Sequence, residues 1–142
     1  MEPDVVSMIE DLDLVDKVEV SSFDHDKLAR VHTLNSRIST GALFSEVPHD
    51  YIEVAKRCKA SEIHLRYDTC STDRVSECHK NGFEVMAWFR GPLNMREDSF
   101  KFDDCENEDK KMYEIVMLSG CDSICVNRPS VALDALKCLR SY

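Results

Sequence analysis

Neither a long apolar stretch nor a regular cysteine framework occurs in this sequence. No segment approaches the length of apolar sequence that crosses a bilayer, so we expect no transmembrane segment. The seven cysteines form an odd set without a CxxC pair, and the spacing of a Cys2His2 zinc site is absent. No apolar signal segment opens the chain. We therefore predict a cytoplasmic protein with reduced, structural thiols.

Basic residues, glycine and proline are also scarce. The 142 residues include 18 lysines and arginines against 27 aspartates and glutamates, which gives a formal net charge of −9. Such a chain attracts neither nucleic acid nor an anionic membrane surface, so we exclude both as main partners. Four glycines, four prolines and 43% apolar residues are typical of a folded globular chain. We predict a single domain over residues 1–142.

Short β-branched segments alternate with amphipathic segments along the chain. Apolar residues recur at helical spacing over residues 1–16, before the first strand, and again after each strand. This order predicts an α/β fold with a parallel sheet and right-handed crossovers. The spacing alone fits either an open doubly wound sheet or a partial (β/α)8 barrel. The five predicted strands cover 17–23, 37–44, 61–67, 83–89 and 122–126.

Four short motifs follow one another in a fixed order. Ser21-Ser22-Phe23 ends the first strand, and the second strand reads RISTGALF. A later helix ends in CHKNG, with His79 and Gly82, and leads into a strand that contains Trp88. The last strand lies within GCDSICVNRP. Together, over residues 17–136, these motifs resemble the glycerophosphodiester phosphodiesterase family.

The resemblance implies a fold and a share of that fold. Members of this family form a phospholipase-C-like phosphodiesterase TIM barrel, and the motifs correspond to strands four to eight of its eight. We therefore expect a partial (β/α)8 barrel of about five parallel strands that alternate with helices, corresponding to the C-terminal portion of the family's domain.

The family's chemistry is the hydrolysis of glycerophosphodiesters with a divalent metal, calcium or magnesium, and two histidines. The resemblance places those groups on the first three strands, in His-Arg-Gly and Glu-x-Asp motifs. This sequence has no His-Arg pair, and its early Glu-x-Asp, Glu2-Pro3-Asp4, lies at the terminus. We therefore predict no catalytic residue, metal ligand or cofactor in this chain, and inactivity on its own. The alternatives are a non-catalytic binding or regulatory module derived from the barrel, and an unrelated open α/β domain.

Four residues are predicted to wall a pocket for a glycerophosphodiester ligand: Phe23, His64, Trp88 and Asn127. His64 either points into the barrel, towards a phosphate or a carboxylate, or is a satisfied core histidine. Trp88 either walls the pocket or fills the top of the barrel. Asn127 stands where the family has an aspartate, so it keeps hydrogen bonding but loses the charge. His25 and His49 lie at predicted helix starts and are expected to be solvated rather than catalytic.

Two further expectations concern the surface. Residues 91–107 form a long acidic connection that lacks the ligand spacing of a calcium loop, so we predict a solvated loop. Five strands of eight do not close a barrel. We therefore expect Val18, Val20, Ile124 and Val126 near open sheet edges, together with apolar interior faces, and self-association through those edges.

Overall fold

A computed structural model describes residues 1–89 and 108–141. The predicted acidic connection at 91–107 lies outside the described residues. None of the described helices has the length and apolar character that a membrane span requires. The strands are β1 (Glu19–Ser22), β2 (Ser39–Phe44), β3 (Glu62–Arg66), β4 (Glu84–Trp88) and β5 (Ser123–Cys125), and the helices are α1 (Glu2–Asp11), α2 (His25–Leu34), α3 (Tyr51–Arg57), α4 (Thr72–Lys80), α5 (Lys110–Met117) and α6 (Pro129–Arg140).

The five strands form one parallel sheet in the order in which they occur in the chain, β1-β2-β3-β4-β5. Phe23 follows β1 and Trp88 ends β4, yet their ring centroids are only 5.6 Å apart. In a flat sheet, strands separated by two others would lie about 14 Å apart. The sheet is therefore curled into a half-barrel, which confirms the predicted α/β partial TIM barrel.

The outer face of the sheet carries the hydrophobic core. Alternate residues of each strand point outwards, and most of them are buried beneath the helices. Burial of this apolar surface is the main force that holds helices and sheet together. The core residues from the strands include Ala42, Phe44, Ile63, Leu65, Val85 and Ala87, and those from the helices include Leu28, Tyr51, Ala55, Val75, Tyr113, Val116 and Ala135.

The inner face of the sheet is mostly polar, so the expectation of apolar interior faces is wrong. The physical reason is the alternation of polar and apolar residues along β1 and β3, which turns one chemical type to each side of the sheet. The side chains on the inner face are Glu19, Ser21, Ser39, Leu43, Glu62, His64, Arg66, Glu84, Met86, Trp88, Ser123 and Cys125.

The valines near the first edge are partly covered. Val18 and Val20 pack against a small cluster that joins α1 to α2, formed by Val6, Ile9, Val31 and Ile38. Ile124 and Val126 pack against the main core. Within the described ranges β1 pairs only with β2, and β5 only with β4, so the predicted edges lie at these two strands.

Two motif residues meet at the amino end of the sheet. His79, at the end of α4, donates a hydrogen bond from Nε2 to Asp122 Oδ2 at 2.8 Å, and the Val85 N–H donates to the same oxygen at 2.7 Å. Burial raises the pKa of Asp122, but the hydrogen bonds from His79 and Val85 outweigh it and lower the pKa. Asp122 thus ties α4 to β4 in its ionised form.

Removing the carboxylate of Asp122 is expected to weaken the fold in a pH-dependent way. Asp122→Ala leaves the Val85 N–H unpaired and should reduce the free energy of unfolding by about 1–3 kcal/mol at neutral pH. Asp122→Asn should cost less, because the amide oxygen still accepts a hydrogen bond. The lowered pKa stabilises the fold above about pH 4, and this contribution is lost as the pH falls through the folded-state pKa.

Urea unfolding at several pH values measures this effect. The difference between wild type and Asp122→Asn should shrink as the pH is lowered from neutrality to about pH 3. Asp134→Asn is the matched control, because Asp134 is exposed on α6 and contacts Lys137 alone among the salt-bridge partners described. An Asp122→Asn difference that stays constant over the whole pH range would contradict the assignment.

Candidate functional site at the inner face of the half-barrel

Three ionisable side chains converge on the inner face of the sheet, near the amino ends of β1 and β3. His64 Nε2 lies 2.9 Å from Glu19 Oε1 and 3.4 Å from Glu62 Oε2. Glu19 begins β1, whereas Glu62 and His64 belong to β3, so the contact spans β2. We call this group, Glu19, Glu62 and His64, the Glu–Glu–His cluster. Its ligand-type atoms all lie within 4.8 Å of one another.

Gly41 on β2 makes the contact sterically possible. A Cβ atom at this position would lie 2.2 Å from His64 Cε1 and 2.6 Å from Glu19 Oε1, well inside van der Waals contact. Any other residue would therefore push the imidazole ring and the carboxylate apart. Because Gly41 has no side chain, the side chains of Glu19 and His64 can meet above β2.

The two carboxyl groups of the cluster differ in their ionisation. Burial, then the hydrogen bond to Glu19 and the charge of Glu19, raises the pKa of Glu62 to about 7. Burial also acts to raise the pKa of Glu19, but hydrogen bonds from His64 and Glu62 outweigh it and lower the pKa. Glu62 thus keeps its proton well above the usual range, while Glu19 is ionised.

Two aromatic rings mark the carboxyl ends of the strands, which we call the rim. Phe23 is 52% exposed and meets Trp88, which is 9% exposed, edge to face. The indole N–H of Trp88 is buried, and among the described residues it has no hydrogen-bond partner. Arg66 ends β3 beside Trp88 in register, and it donates two hydrogen bonds to Asp68, at 2.6 and 2.9 Å.

Open depressions flank Phe23 and His25 at the rim. Their volumes are about 310 and 260 Å³. His25 itself is held in place, because its Nε2 donates to the Leu43 carbonyl at 3.0 Å and its ring packs on Phe44. The lining combines apolar with mainly acidic side chains: Phe23, Asp24, His25, Asp26, Val54 and Arg57 for the first depression, and Phe23, Leu43, Phe44, Glu46 and Val54 among others for the second.

Asn127 is anchored in a buried polar network beside the rim. Its Nδ2 donates to Glu108 Oε1 at 2.5 Å and to the Phe89 carbonyl at 3.2 Å. Glu108 is only 3% exposed, and its other carboxylate oxygen accepts hydrogen bonds from the Tyr113 hydroxyl and the Asn127 N–H. The Arg128 guanidinium donates to the Glu108 carbonyl. An aspartate at 127 would place a second carboxylate against this buried one.

The model of the glycerophosphoryl diester phosphodiesterase family matches residues 1–131. The chain belongs to this family. Solved structures with the same fold include a protein of Galdieria sulphuraria assigned to the glycerophosphodiester phosphodiesterases, at 19% identity and a TM-score of 0.79, which covers 96% of this chain and 50% of that one. No curated protein matches the chain significantly.

Two further family structures agree with this comparison. A glycerophosphodiester phosphodiesterase of Parabacteroides distasonis is 18% identical with a TM-score of 0.72, over 99% of this chain and 50% of that one. A phosphodiesterase of Oleispira antarctica, solved with its product sn-glycerol-3-phosphate, is 17% identical with a TM-score of 0.69, over 96% and 50%. At these identities the similarity shows the fold alone. The chain spans about half the length of these relatives.

Family members are metal-dependent, and TIM-barrel active sites lie at the carboxyl ends of the strands. Within residues 1–89 and 108–141, one set of three metal-ligating side chains converges, and it is the Glu–Glu–His cluster at the opposite end. The described rim residues therefore do not fit the family's metal. No metal-assisted step is assigned to them.

The predicted pocket residues fall into three places. Phe23 and Trp88 meet at the rim, Asn127 lies in the Glu108 network, and His64 contacts carboxylates at the other end. The structure does not bring the four into one site, and their function as pocket walls stays a prediction. Sequence reasoning missed Glu19, Gly41, Glu62, Arg66 and Glu108. The alternating pattern EIHLR in β3 was the available signal for an inward polar face.

Filling the space above Gly41 is expected to destabilise the protein. In an ordinary strand Gly→Ala is favourable, but here the new Cβ overlaps the His64 ring, so Gly41→Ala should lower the free energy of unfolding by about 1–3 kcal/mol. Urea unfolding measures the change, with Ser39→Ala, on the same strand and face, as control. In a double-mutant cycle, His64→Ala should cost less in the Gly41→Ala background than in wild type. Additive effects would refute the overlap.

Restoring the family's aspartate at 127 is also expected to destabilise this chain. Asn127→Asp loses the donor to Glu108 and adds a like charge, so the free energy of unfolding at neutral pH should fall by about 1–3 kcal/mol. Asn127→Ala should cost less, because it adds no charge. The control is Asn81→Asp at the exposed end of α4, which also loses a donor, to the Glu77 carbonyl, but adds its charge in solvent, so it should cost less than Asn127→Asp. If Asn127→Asp and wild type were equally stable in urea, the hydrogen bonds between Asn127 and Glu108 would not stabilise the fold.

Proposed function

We propose that this chain forms the C-terminal half of a phosphodiesterase barrel and that its rim binds glycerophosphodiesters, as part of glycerophospholipid metabolism. The observation that carries the proposal is the Phe23–Trp88 pair at the carboxyl ends of the strands, next to depressions large enough for a small ligand. In barrels of this class this end of the strands is the ligand-binding end. The product complex of the Oleispira antarctica relative supports a glycerol phosphate ligand.

The charges around the rim favour a particular orientation of such a ligand. Asp24, Asp26 and Glu46 line the depressions beside the exposed ring of Phe23, a combination that attracts a cationic alcohol group such as choline. On the inner side, the Arg66 guanidinium, which Asp68 partly neutralises, and the Trp88 N–H, which has no hydrogen-bond partner among the described residues, are the candidate donors to a phosphate. Glycerophosphocholine matches both halves of this arrangement.

We further propose that the chain does not hydrolyse this ligand by itself. Hydrolysis in the family needs a metal and a pair of histidines that transfer protons. Among the described histidines, His25 is bound to the Leu43 carbonyl, His79 to Asp122 and His64 to the cluster carboxylates. The retained aromatic rim also supports the second candidate function, a non-catalytic binding or regulatory module derived from the barrel.

Location and assembly belong to the same proposal. The six cysteines that the structure describes are free thiols, which supports a reducing, cytoplasmic compartment. The single-partner strands β1 and β5 support self-association, or pairing with another chain, at the two sheet edges.

Hydrolysis of glycerophosphocholine by the purified chain tests the catalytic part. We expect no release of choline or glycerol 3-phosphate with calcium or magnesium, and the same result with a chelator. Turnover that the metals support and the chelator abolishes would contradict the proposal that this chain is inactive alone.

Binding at the rim can be followed separately, because Trp88 is the one tryptophan in the sequence. Titration with glycerophosphocholine should shift its fluorescence, and Phe23→Ala should weaken binding at least about threefold by removing aromatic contact. Leu12→Ala is the control, since Leu12 directly follows α1 and is similarly exposed but does not line the rim depressions. Unaltered fluorescence at high ligand concentration, or equal effects of the two substitutions, would refute rim binding.

A further inference from the structure

We propose that the Glu–Glu–His cluster is a binding site for a divalent transition-metal ion, separate from the rim and at the opposite end of the strands. Nothing in the family's chemistry described above uses this position. Within the cluster, His64 Nε2 lies 2.9 Å from Glu19 Oε1 and 3.4 Å from Glu62 Oε2. Around an ion with ligands at about 2.1 Å, neighbouring ligand atoms lie about 3 Å apart, so the side chains are close to binding geometry.

The site is held by the sheet rather than by loops. Glu19 comes from β1, and Glu62 and His64 come from β3, on either side of Gly41 in β2. The imidazole is 1% exposed, and both carboxyl groups are 22% exposed. Ligands on paired strands keep their separation without a backbone movement, and the partly open side leaves room for an ion and water. Because Gly41 has no side chain, the His64 ring and the Glu19 carboxylate can approach each other above β2.

The electrostatics of the cluster favour a cation. Two carboxyl groups face one imidazole nitrogen in a largely buried position, so their negative charges lie close together. A divalent ion between them would neutralise both carboxylates. Lysines and arginines do not enter the cluster: among the described ion pairs, Glu19 and Glu62 contact His64 and no lysine or arginine.

The donor set indicates which ion would bind. One imidazole with two carboxylates suits manganese, iron(II) or zinc, whereas calcium and magnesium prefer oxygen ligands alone. His64 Nδ1 is buried and has no acceptor among the described residues. Metal-bound histidines usually donate this second N–H, and loss of such a partner weakens binding about 10–100-fold. We therefore expect a site of moderate affinity.

Manganese binding to the full chain tests the proposal, because Mn²⁺ is paramagnetic and has little preference for the cysteine thiols. With a reductant present, an electron paramagnetic resonance titration should show one saturable ion per chain. Pulsed measurements should show coupling to a directly bound imidazole nitrogen. Glu62→Gln, which is nearly isosteric with the protonated residue, should raise the Kd at least about tenfold and leave the fold intact.

Glu53→Gln is the matched control, since Glu53 is an exposed glutamate on α3 that does not belong to the cluster. Its Kd should equal that of wild type. Equal weakening by both substitutions would mean diffuse attraction to an acidic surface and would overturn the proposal. So would a titration without saturation, or a bound ion without nitrogen coupling. Glycerophosphocholine binding at the rim should be unchanged in Glu62→Gln, so the two proposals fail or succeed separately.

Discussion

The inner side of this half-barrel depends on the contact between Glu19 of β1 and His64 of β3, which meet above Gly41. Because the glycine has no side chain, the curled sheet can bring His64 to 2.9 Å from Glu19 across an intervening strand. The same curl continues towards the carboxyl ends, where Phe23 reaches Trp88 across two strands. A bulkier residue at 41 would have to flatten the sheet, displace the cluster, or both.

The outer face of the sheet carries the hydrophobic core, and the inner face carries the charged and polar groups. Helix α2 to helix α6 cover the outer face, and the buried residues there supply the hydrophobic stabilisation. The inner face is thereby free to carry charged and polar groups, provided that each finds a partner. At the amino end Glu19 and Glu62 pair with His64 Nε2. The aromatic rim and Arg66 lie at the carboxyl end, about 13 Å away along four residues of strand.

The order and type of the elements followed from the sequence because they depend on local periodicity. Strand β3, for example, lies within the predicted strand at 61–67, and helix α4 ends within the CHKNG motif. The inner face was harder to predict. The alternation in EIHLR places Glu62, His64 and Arg66 on one side of the sheet. The partners of these residues come from other strands, and only the curl brings them together.

The buried network around Asn127 was also beyond sequence reasoning. The exchange of aspartate for asparagine was visible, but its cause, the buried Glu108 carboxylate, comes from a position before α5 with no motif of its own. The His79 and Gly82 motif was recognised from its spacing, yet its physical role lies in the hydrogen bond from His79 to Asp122, 43 residues later in the chain. Long-range pairs of this kind are set by the fold, and local pattern does not encode them.

The curl itself can be measured most directly by nuclear magnetic resonance of the isotope-labelled chain in solution. The 5.6 Å separation of the ring centroids of Phe23 and Trp88 predicts strong nuclear Overhauser effects between their ring protons. Such cross-peaks, together with contacts between the His64 ring and the Glu19 side chain, would support a half-barrel that holds its curvature. Cross-peaks between neighbouring strands alone, with none between Phe23 and Trp88, would show a flatter sheet and contradict the account.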